Sequence, residues 1–215
     1  MLEQFAYFST FLMLFILTIL LSKFFSELLQ TQLYSAIAIL EKPTMLFHST
    51  AKRETLFCLL SFAAYSLTAP LAIHPFILLI LWIFVSFLVF ISIMDWEQQI
   101  ILDKVLYCFF FCGLFFSFFS PDLFLNRLLA AFCGSIVLLI LAIITRGAIG
   151  GGDIKLLFVL GFWLGMDKML FTLFLGFIIG GLISAFLLLC RLKKRHDTIA
   201  YGPYFALSAI LSLFQ

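Results

Sequence analysis

Two aspartates stand at the ends of long apolar runs in this chain. Asp95 directly follows the run Phe76–Met94, and Asp153 directly precedes the run 154–166. A carboxylate at membrane depth is costly, so such a residue marks a functional site by default. When two carboxyl groups meet, the ionised one can take a proton from water while the protonated one polarises a carbonyl. The pair is therefore a candidate catalytic site for peptide-bond hydrolysis.

Three glycines, Gly150, Gly151 and Gly152, directly precede Asp153. Glycine has no Cβ, so backbone or substrate can approach it closely, and positive φ angles cost little. The glycines also separate the apolar run 127–145 from the next helix and leave Asp153 near that helix's N-terminus, which favours a negative charge. We predict a role in substrate binding or loop geometry for Gly150 and Gly152. The alternative is a simple N-cap aspartate after a flexible turn.

Two further acids follow Asp95 in the same segment. We expect Glu97 to be solvated in the loop, and Asp103 stands where the next helix starts and can cap it. Asp95 is the preferred candidate because it comes first after the membrane run. The alternative for Asp95 is a helix-end acid that marks the water boundary.

Composition predicts the fold class. The 215 residues are 65% hydrophobic and 11% charged, whereas a soluble domain carries about 25% charged residues. The apolar stretches are continuous rather than alternating, which disfavours a β-barrel. We predict an all-α, polytopic transmembrane helix bundle of about eight spans, forming a single domain over 1–215 with a short cytoplasmic loop at 23–55. The candidate spans are 5–22, 56–73, 76–94, 104–119, 127–145, 154–166, 168–190 and 199–214.

The basic residues predict the orientation of this bundle. Alternating eight spans puts four segments on one side, namely 23–55, 95–104, 146–153 and 191–198. With Lys155 included, that side carries 11 Lys and Arg residues, and the other side carries two, Arg127 and Lys168. Because basic residues accumulate on the cytoplasmic side, both termini would face outward. Both aspartates would then lie at the cytoplasmic face of the inner (cytoplasmic) membrane.

The other residues that could carry chemistry are scattered. The cysteines form no Cys-x-x-Cys pair and lie mostly inside apolar runs, and the three histidines, His48, His74 and His196, are far apart in the sequence. We therefore expect packing roles for the cysteines and no metal site. The glycine-rich stretch lacks the Gly-Lys-Ser/Thr ending of a phosphate-binding loop, and we expect no nucleic-acid partner.

Three motifs in order along 76–215 give a more specific indication. Asp95 is followed eight residues later by Asp103; Gly150-Gly151-Gly152-Asp153 continues as Ile154-Lys155-Leu156; and Tyr201-Gly202-Pro203-Tyr204-Phe205-Ala206 stands near the C-terminus. Together they resemble the motifs of type IV prepilin peptidases, membrane aspartic proteases of the Gly-x-Gly-Asp class. The eight-span count and the cytoplasmic acids agree with that family.

The resemblance implies that Asp95 and Asp153 are the catalytic pair and that Asp103 is structural or accessory. It also implies the substrates: type IV prepilins or type II secretion pseudopilins, whose short basic leader is cut after a glycine at the cytoplasmic face. The bilayer is the other partner. Peptide hydrolysis of this kind needs no cofactor, and S-adenosylmethionine would be needed only where the family's second activity, N-methylation, is retained.

The chain departs from the family pattern in two places. Leu102 replaces the proline that precedes the second loop acid, and segment 23–55 is short and has no cysteine. Many family members carry a larger domain there with two Cys-x-x-Cys pairs, so the departure puts methylation in doubt.

Two other functions remain open at this stage. An inactive, pilin-binding relative would be recognised by the loss of one aspartate, and both are present. A small proton- or ion-coupled transporter could use the same acids near broken helices, but the chain shows no internal repeat.

Overall fold

The structure, a computed structural model, describes residues 16, 20, 50–71, 75–147, 149–192 and 199–215. Within these ranges the chain is helical and contains no strand, as the prediction of an all-α bundle requires. The helices are α1 Thr50–Thr68, α2 Pro75–Gln98, α3 Asp103–Ser117, α4 Phe124–Ile144, α5 Gly151–Leu164, α6 Met166–Leu189 and α7 Gly202–Ser212, with short 3-10 turns at Ala69–Leu71 and Pro121–Leu123.

Every candidate span that falls on described residues is a helix, although the boundaries differ by several residues. The first candidate, 5–22, lies outside the described residues apart from Ile16 and Leu20, as do most of the loops 23–55 and 191–198. The largest shift concerns the span 56–73, whose helix α1 begins at Thr50. At the candidate site, the span 76–94 becomes helix α2, which continues to Gln98. The count of eight spans therefore stays a prediction.

Three of the described helices are long and apolar enough to cross a membrane. They are Phe76–Gln98, Pro121–Ile144 and Met166–Leu189, with mean hydropathies of 3.0, 2.6 and 2.4. A helix rises 1.5 Å per residue, so about 20 residues cross the apolar core of a bilayer. The chain is therefore a helical membrane protein.

The contacts of the chain divide it into two units, Met1–Pro70 and Leu71–Gln215. In the first unit, the Thr68 hydroxyl of α1 donates a hydrogen bond to the carbonyl oxygen of Ala64 at 2.9 Å. The second unit contains α2 to α7 and every residue of the predicted site. The expectation of one domain over 1–215 stays a prediction.

Helix α5 has a central place in the second unit. It contacts α3, α4, α6 and α7, and most of its side chains between Leu156 and Phe162 are buried. Its closest approach is to α4, where a Cβ on Gly161 would stand 2.6 Å from backbone atoms of Ala130 and Ala131. The glycine therefore lets the two helix backbones touch, and this contact fixes the height of α5 in the bundle.

Small residues also bring α6 against α7. A Cβ on Gly176 would stand 2.4 Å from the ring of Phe205, and one on Gly180 would stand 2.7 Å from the ring of Tyr201. These two glycines form a packing face for the aromatic residues of α7, while Gly181 on the same helix has open space around it.

Two chain reversals bring helix ends to the level of the aspartates. Helix α2 ends where Gln99 takes a φ of 54° and its N–H donates to the carbonyl oxygen of Asp95 at 2.8 Å. Helix α4 ends in a Schellman motif, in which Arg146 takes a left-handed φ of 54° and the Gly147 N–H donates to the Ala142 carbonyl oxygen at 2.8 Å. The chain then turns through Gly150 into α5.

The contact at Gly161 leads to a prediction about stability. Gly161→Ala should lower the free energy of unfolding by about 1–3 kcal/mol, because its new methyl group must displace the backbone of α4. The matched control is Gly181→Ala, which meets nothing within 4 Å and should stabilise its helix by roughly 0.5–1 kcal/mol. Thermal unfolding in mild detergent measures both. Equal effects of the two substitutions would contradict the close α4–α5 packing.

Candidate functional site

Asp95 lies inside helix α2 rather than after it. The prediction placed it in the loop 95–104, but the helix continues for three residues past it, and the Asp95 side chain is only 5% exposed. The apolar run ends at Met94, yet the backbone keeps its helical hydrogen bonds for another turn because the acid finds a partner in the bundle. The predicted loop therefore begins at Gln99 in the structure.

The partner of Asp95 is the first residue of α7. The backbone N–H of Gly202 donates to Asp95 Oδ2 at 2.8 Å. The first N–H groups of a helix have no acceptor inside the helix, and they favour a nearby negative charge. A Cβ at Gly202 would stand 2.6 Å from Asp95 Oδ2 and 3.1 Å from its Cγ. The contact therefore requires both a free helix N-terminus and a glycine at this position.

Asp153 lies in the first turn of α5, as predicted. Gly150 precedes the helix with an extended backbone, at φ −69° and ψ 142°, and its carbonyl oxygen accepts from the Asp153 N–H at 3.1 Å. A Cβ at Gly150 would lie 3.3 Å from Asp153 Oδ2, and one at Gly152 would lie 3.1 Å from the Cβ of Ile101. Gly150 therefore keeps space beside the acid and Gly152 keeps space for Ile101, whereas Gly151 has open space around it.

The two carboxyl groups act on each other electrostatically. Asp153 lies outside the three membrane spans, and burial, helped by the negative charge of Asp95, raises the pKa of Asp153 to about 7. The packing agrees with this interaction, since Ile101, which follows α2, lies against Gly152, the residue before Asp153. Both acids therefore lie at one end of the bundle. Because two neighbouring carboxyl groups are hard to ionise together, the pair favours a state in which it holds one proton.

An ion pair between Lys155 and Asp103 lies close to the two aspartates in the fold. Lys155 Nζ donates to both carboxylate oxygens of Asp103, at 2.7 and 2.8 Å, and so links the first turn of α3 to the second turn of α5. Helix α3 begins at Asp103 as expected, but the carboxylate binds this lysine. Both side chains are about half exposed, so the pair itself adds little to stability.

The prediction for Glu97 is wrong. This residue was expected to be solvated in a loop, but it lies in the last turn of α2 and is 2% exposed. The cause is the same as for Asp95: the helix extends past the end of the apolar run.

Gly202 is the residue whose place in the site was missed. Tyr201-Gly202-Pro203 was noted as a motif, but nothing linked it to an aspartate more than a hundred positions earlier. A signal was present, since proline in the first turn marks a helix start and a helix start offers free N–H donors. Sequence spacing could not tell which acid they would meet.

The structure thus defines a class of protein: a helical membrane bundle with two interacting carboxyl groups at one end. Among the residues that the structure describes, no three His, Cys, Asp or Glu side chains lie close enough together to hold a metal ion. The chemistry that this arrangement can supply is proton transfer by the carboxyl groups.

Comparison with known proteins identifies the family. Residues 82–185 match the model of the type IV leader peptidase family. The chain is 30% identical over 156 residues to a prepilin leader peptidase/N-methyltransferase of Bacillus subtilis, covering 72% of this chain and 61% of that protein. Proteins with the same name from Pseudomonas putida and Aeromonas hydrophila are 27% and 28% identical, covering 57% and 74% of this chain and 45% and 56% of their own lengths. This chain belongs to the type IV leader peptidase family.

The chain spans about half to three fifths of the length of these relatives. No solved structure matches it.

The Asp95–Gly202 contact can be tested without any assay of activity. Gly202→Ala should destabilise the protein by about 1–3 kcal/mol, because the new methyl group overlaps the Asp95 carboxylate. In an Asp95→Ala background the same substitution should cost clearly less, since the carboxylate is gone. Thermal unfolding of the two single variants and the double variant gives the coupling energy. Additive effects would show that the two residues do not touch.

Proposed function

We propose that this protein is an aspartic endopeptidase of the membrane that cleaves the leader peptide of type IV prepilins or type II secretion pseudopilins. The observation that carries the proposal is that Asp95 and Asp153 lie at the same end of the bundle, where Ile101, just after α2, lies against Gly152, the residue before Asp153. The raised pKa of Asp153, to which the charge of Asp95 contributes, agrees with it. Family membership supports the substrate class, since the relatives are named prepilin leader peptidases.

The two acids have different surroundings, which suggests different roles. Asp153, with a pKa of about 7, holds the shared proton and donates a hydrogen bond to the scissile carbonyl oxygen. Asp95, oriented by the Gly202 N–H, accepts a proton from the attacking water. The water oxygen then bonds to the carbonyl carbon, while the carbonyl oxygen takes the proton of Asp153.

Collapse of this tetrahedral intermediate completes the reaction. The C–N bond breaks, the leaving nitrogen takes the proton that Asp95 received from water, and Asp153 recovers its proton from the intermediate. The enzyme returns to its starting protonation state, and the net change is the addition of one water across the peptide bond. Carboxyl groups fill both roles, so the proposed hydrolysis needs no cofactor.

The orientation in the membrane forms part of the proposal. The 11 basic residues that the sequence assigns to the side of the aspartates support a cytoplasmic site, because basic residues accumulate on that side. A site at the cytoplasmic face of the inner membrane would meet a prepilin leader before the pilin leaves that face. We do not include N-methylation, since segment 23–55 lacks the cysteine pairs of the larger family members.

The dyad can be tested by cleavage of a co-expressed prepilin. Asp95→Asn and Asp153→Asn should each reduce cleavage roughly 10³-fold or more, since an amide cannot give or take the proton that the carboxyl group transfers. Both variants should accumulate normally in the membrane. Asp167→Asn is the matched control, because this acid is exposed in the first turn of α6, beyond the end of α5 that is remote from Asp153. It should stay within about twofold of the unchanged protein, because an exposed charge contributes little. Wild-type cleavage by either dyad variant would refute the pair. If the unchanged protein cuts no prepilin, binding or ion transport replaces hydrolysis as the function.

The pH dependence of cleavage is a further test. If Asp153 acts as the acid, kcat/KM should fall as pH rises through about 7, approaching tenfold per unit above it, because the active form loses its proton. The two aspartates titrate as a unit, so the apparent pKa measured from the falling part of the pH–rate profile belongs to the pair. The same raised pKa makes native-state stability decline as pH rises from 3.8 to about 7, since the folded state binds more protons. A rate that still rises from pH 7 to 9 would contradict this assignment.

A further inference from the structure

A cavity lies at the end of the bundle opposite to the aspartates. Its volume is about 310 Å³. Apolar and aromatic side chains form most of its wall, including Phe76, Ile80, Phe116 and Trp163, and its polar members include Ser120 and Arg127. Phe76 and Asp95 are 19 residues apart on α2, which separates the cavity from the candidate active site by about 28 Å along the helix.

Arg127 is the unusual member of this wall. It lies one turn into α4 and is half-buried, and no hydrogen bond or ion pair joins its guanidinium to another residue that the structure describes. The nearby acids Asp122 and Asp167 are both exposed, and neither pairs with it. A partly buried charge at the end of a membrane helix requires an anionic or polar partner. The described residues leave this position open to a partner from outside the chain.

The rest of the wall indicates what kind of partner fits. Apolar cavities hold water poorly and take apolar groups instead. A space of this size accepts roughly ten water-sized groups, which is part of an acyl chain rather than a whole lipid. The indole N–H of Trp163 does not compete for the ligand, since it donates to the Phe109 carbonyl oxygen at 3.0 Å.

One molecule meets both requirements. We propose that the cavity binds a single anionic phospholipid, with its phosphate against Arg127 and part of one acyl chain along the wall formed by Phe76, Phe116 and Trp163. Membrane pockets that combine basic and apolar residues recognise anionic lipid headgroups. The proposal also explains why Arg127 stands on the side of the membrane to which the sequence assigns only two basic residues, Arg127 and Lys168. It does not depend on the proposed peptidase function.

Trp163 provides a probe inside the cavity. The full chain is reconstituted in phosphatidylcholine bilayers, and phosphatidylglycerol or phosphatidylcholine with brominated chains is added as a quencher of tryptophan fluorescence. A Trp163→Phe variant gives the background from Trp82 and Trp96. The binding constant of brominated phosphatidylglycerol at Trp163 should exceed that of brominated phosphatidylcholine about fivefold.

Two variants of equal charge change decide the proposal. Arg127→Gln should bring the ratio of the two binding constants, phosphatidylglycerol over phosphatidylcholine, to about one. Lys168→Gln, at the same end of the bundle but outside the cavity, should leave this ratio unchanged. A ratio that survives in Arg127→Gln, or one that falls equally in both variants, would overturn the proposal. Displacement of the brominated lipid by glycerol phosphate would show that the site takes a free anion, which would also overturn it.

Discussion

The buried carboxylate of Asp95 is the constraint on which the arrangement of this bundle depends. A charged or polar group removed from water costs free energy unless it has a hydrogen-bond partner, and Asp95 is 5% exposed at the end of an apolar helix. Its partner is the free N–H at the start of α7. Because a helix start offers such donors and a helix interior does not, α7 must begin at the level where α2 ends. The C-terminal end of α2 and the N-terminal end of α7 therefore meet at the candidate site.

Glycines far from the aspartates maintain this alignment. Asp153 moves with α5, whose position relative to α4 depends on the backbone contact at Gly161. Gly202 moves with α7, which packs its aromatic residues onto Gly176 and Gly180 of α6. Helices in a membrane associate through close packing rather than through exclusion of water, so small residues set their separations. The distance between the two acids thus depends on contacts deep in the bundle.

Short-range sequence pattern was enough to predict most of the described helices. The apolar runs gave the helices of the second unit within a few residues, and the glycines before Asp153 correctly placed it in a first helical turn. The errors at Asp95 and Glu97 have one cause: hydropathy ends where the apolar side chains end, while a helix continues as long as its polar side chains find partners. Which N–H would meet Asp95 depended on a contact across more than a hundred residues, which spacing does not encode.

The placement of Lys155 shows how the same end of the bundle can hold a lysine without neutralising the pair. Lys155 follows Asp153 by two residues, and its ammonium binds both oxygens of Asp103. A cation beside Asp153 would favour the ionised carboxylate and lower its pKa, which would remove the proton that the proposed mechanism requires. Asp103 thus acts as the counter-ion of the lysine, and the pKa of Asp153 is set instead by burial and by the charge of Asp95. An accessory acid in such a site can therefore contribute without touching the substrate, by keeping a positive charge engaged elsewhere.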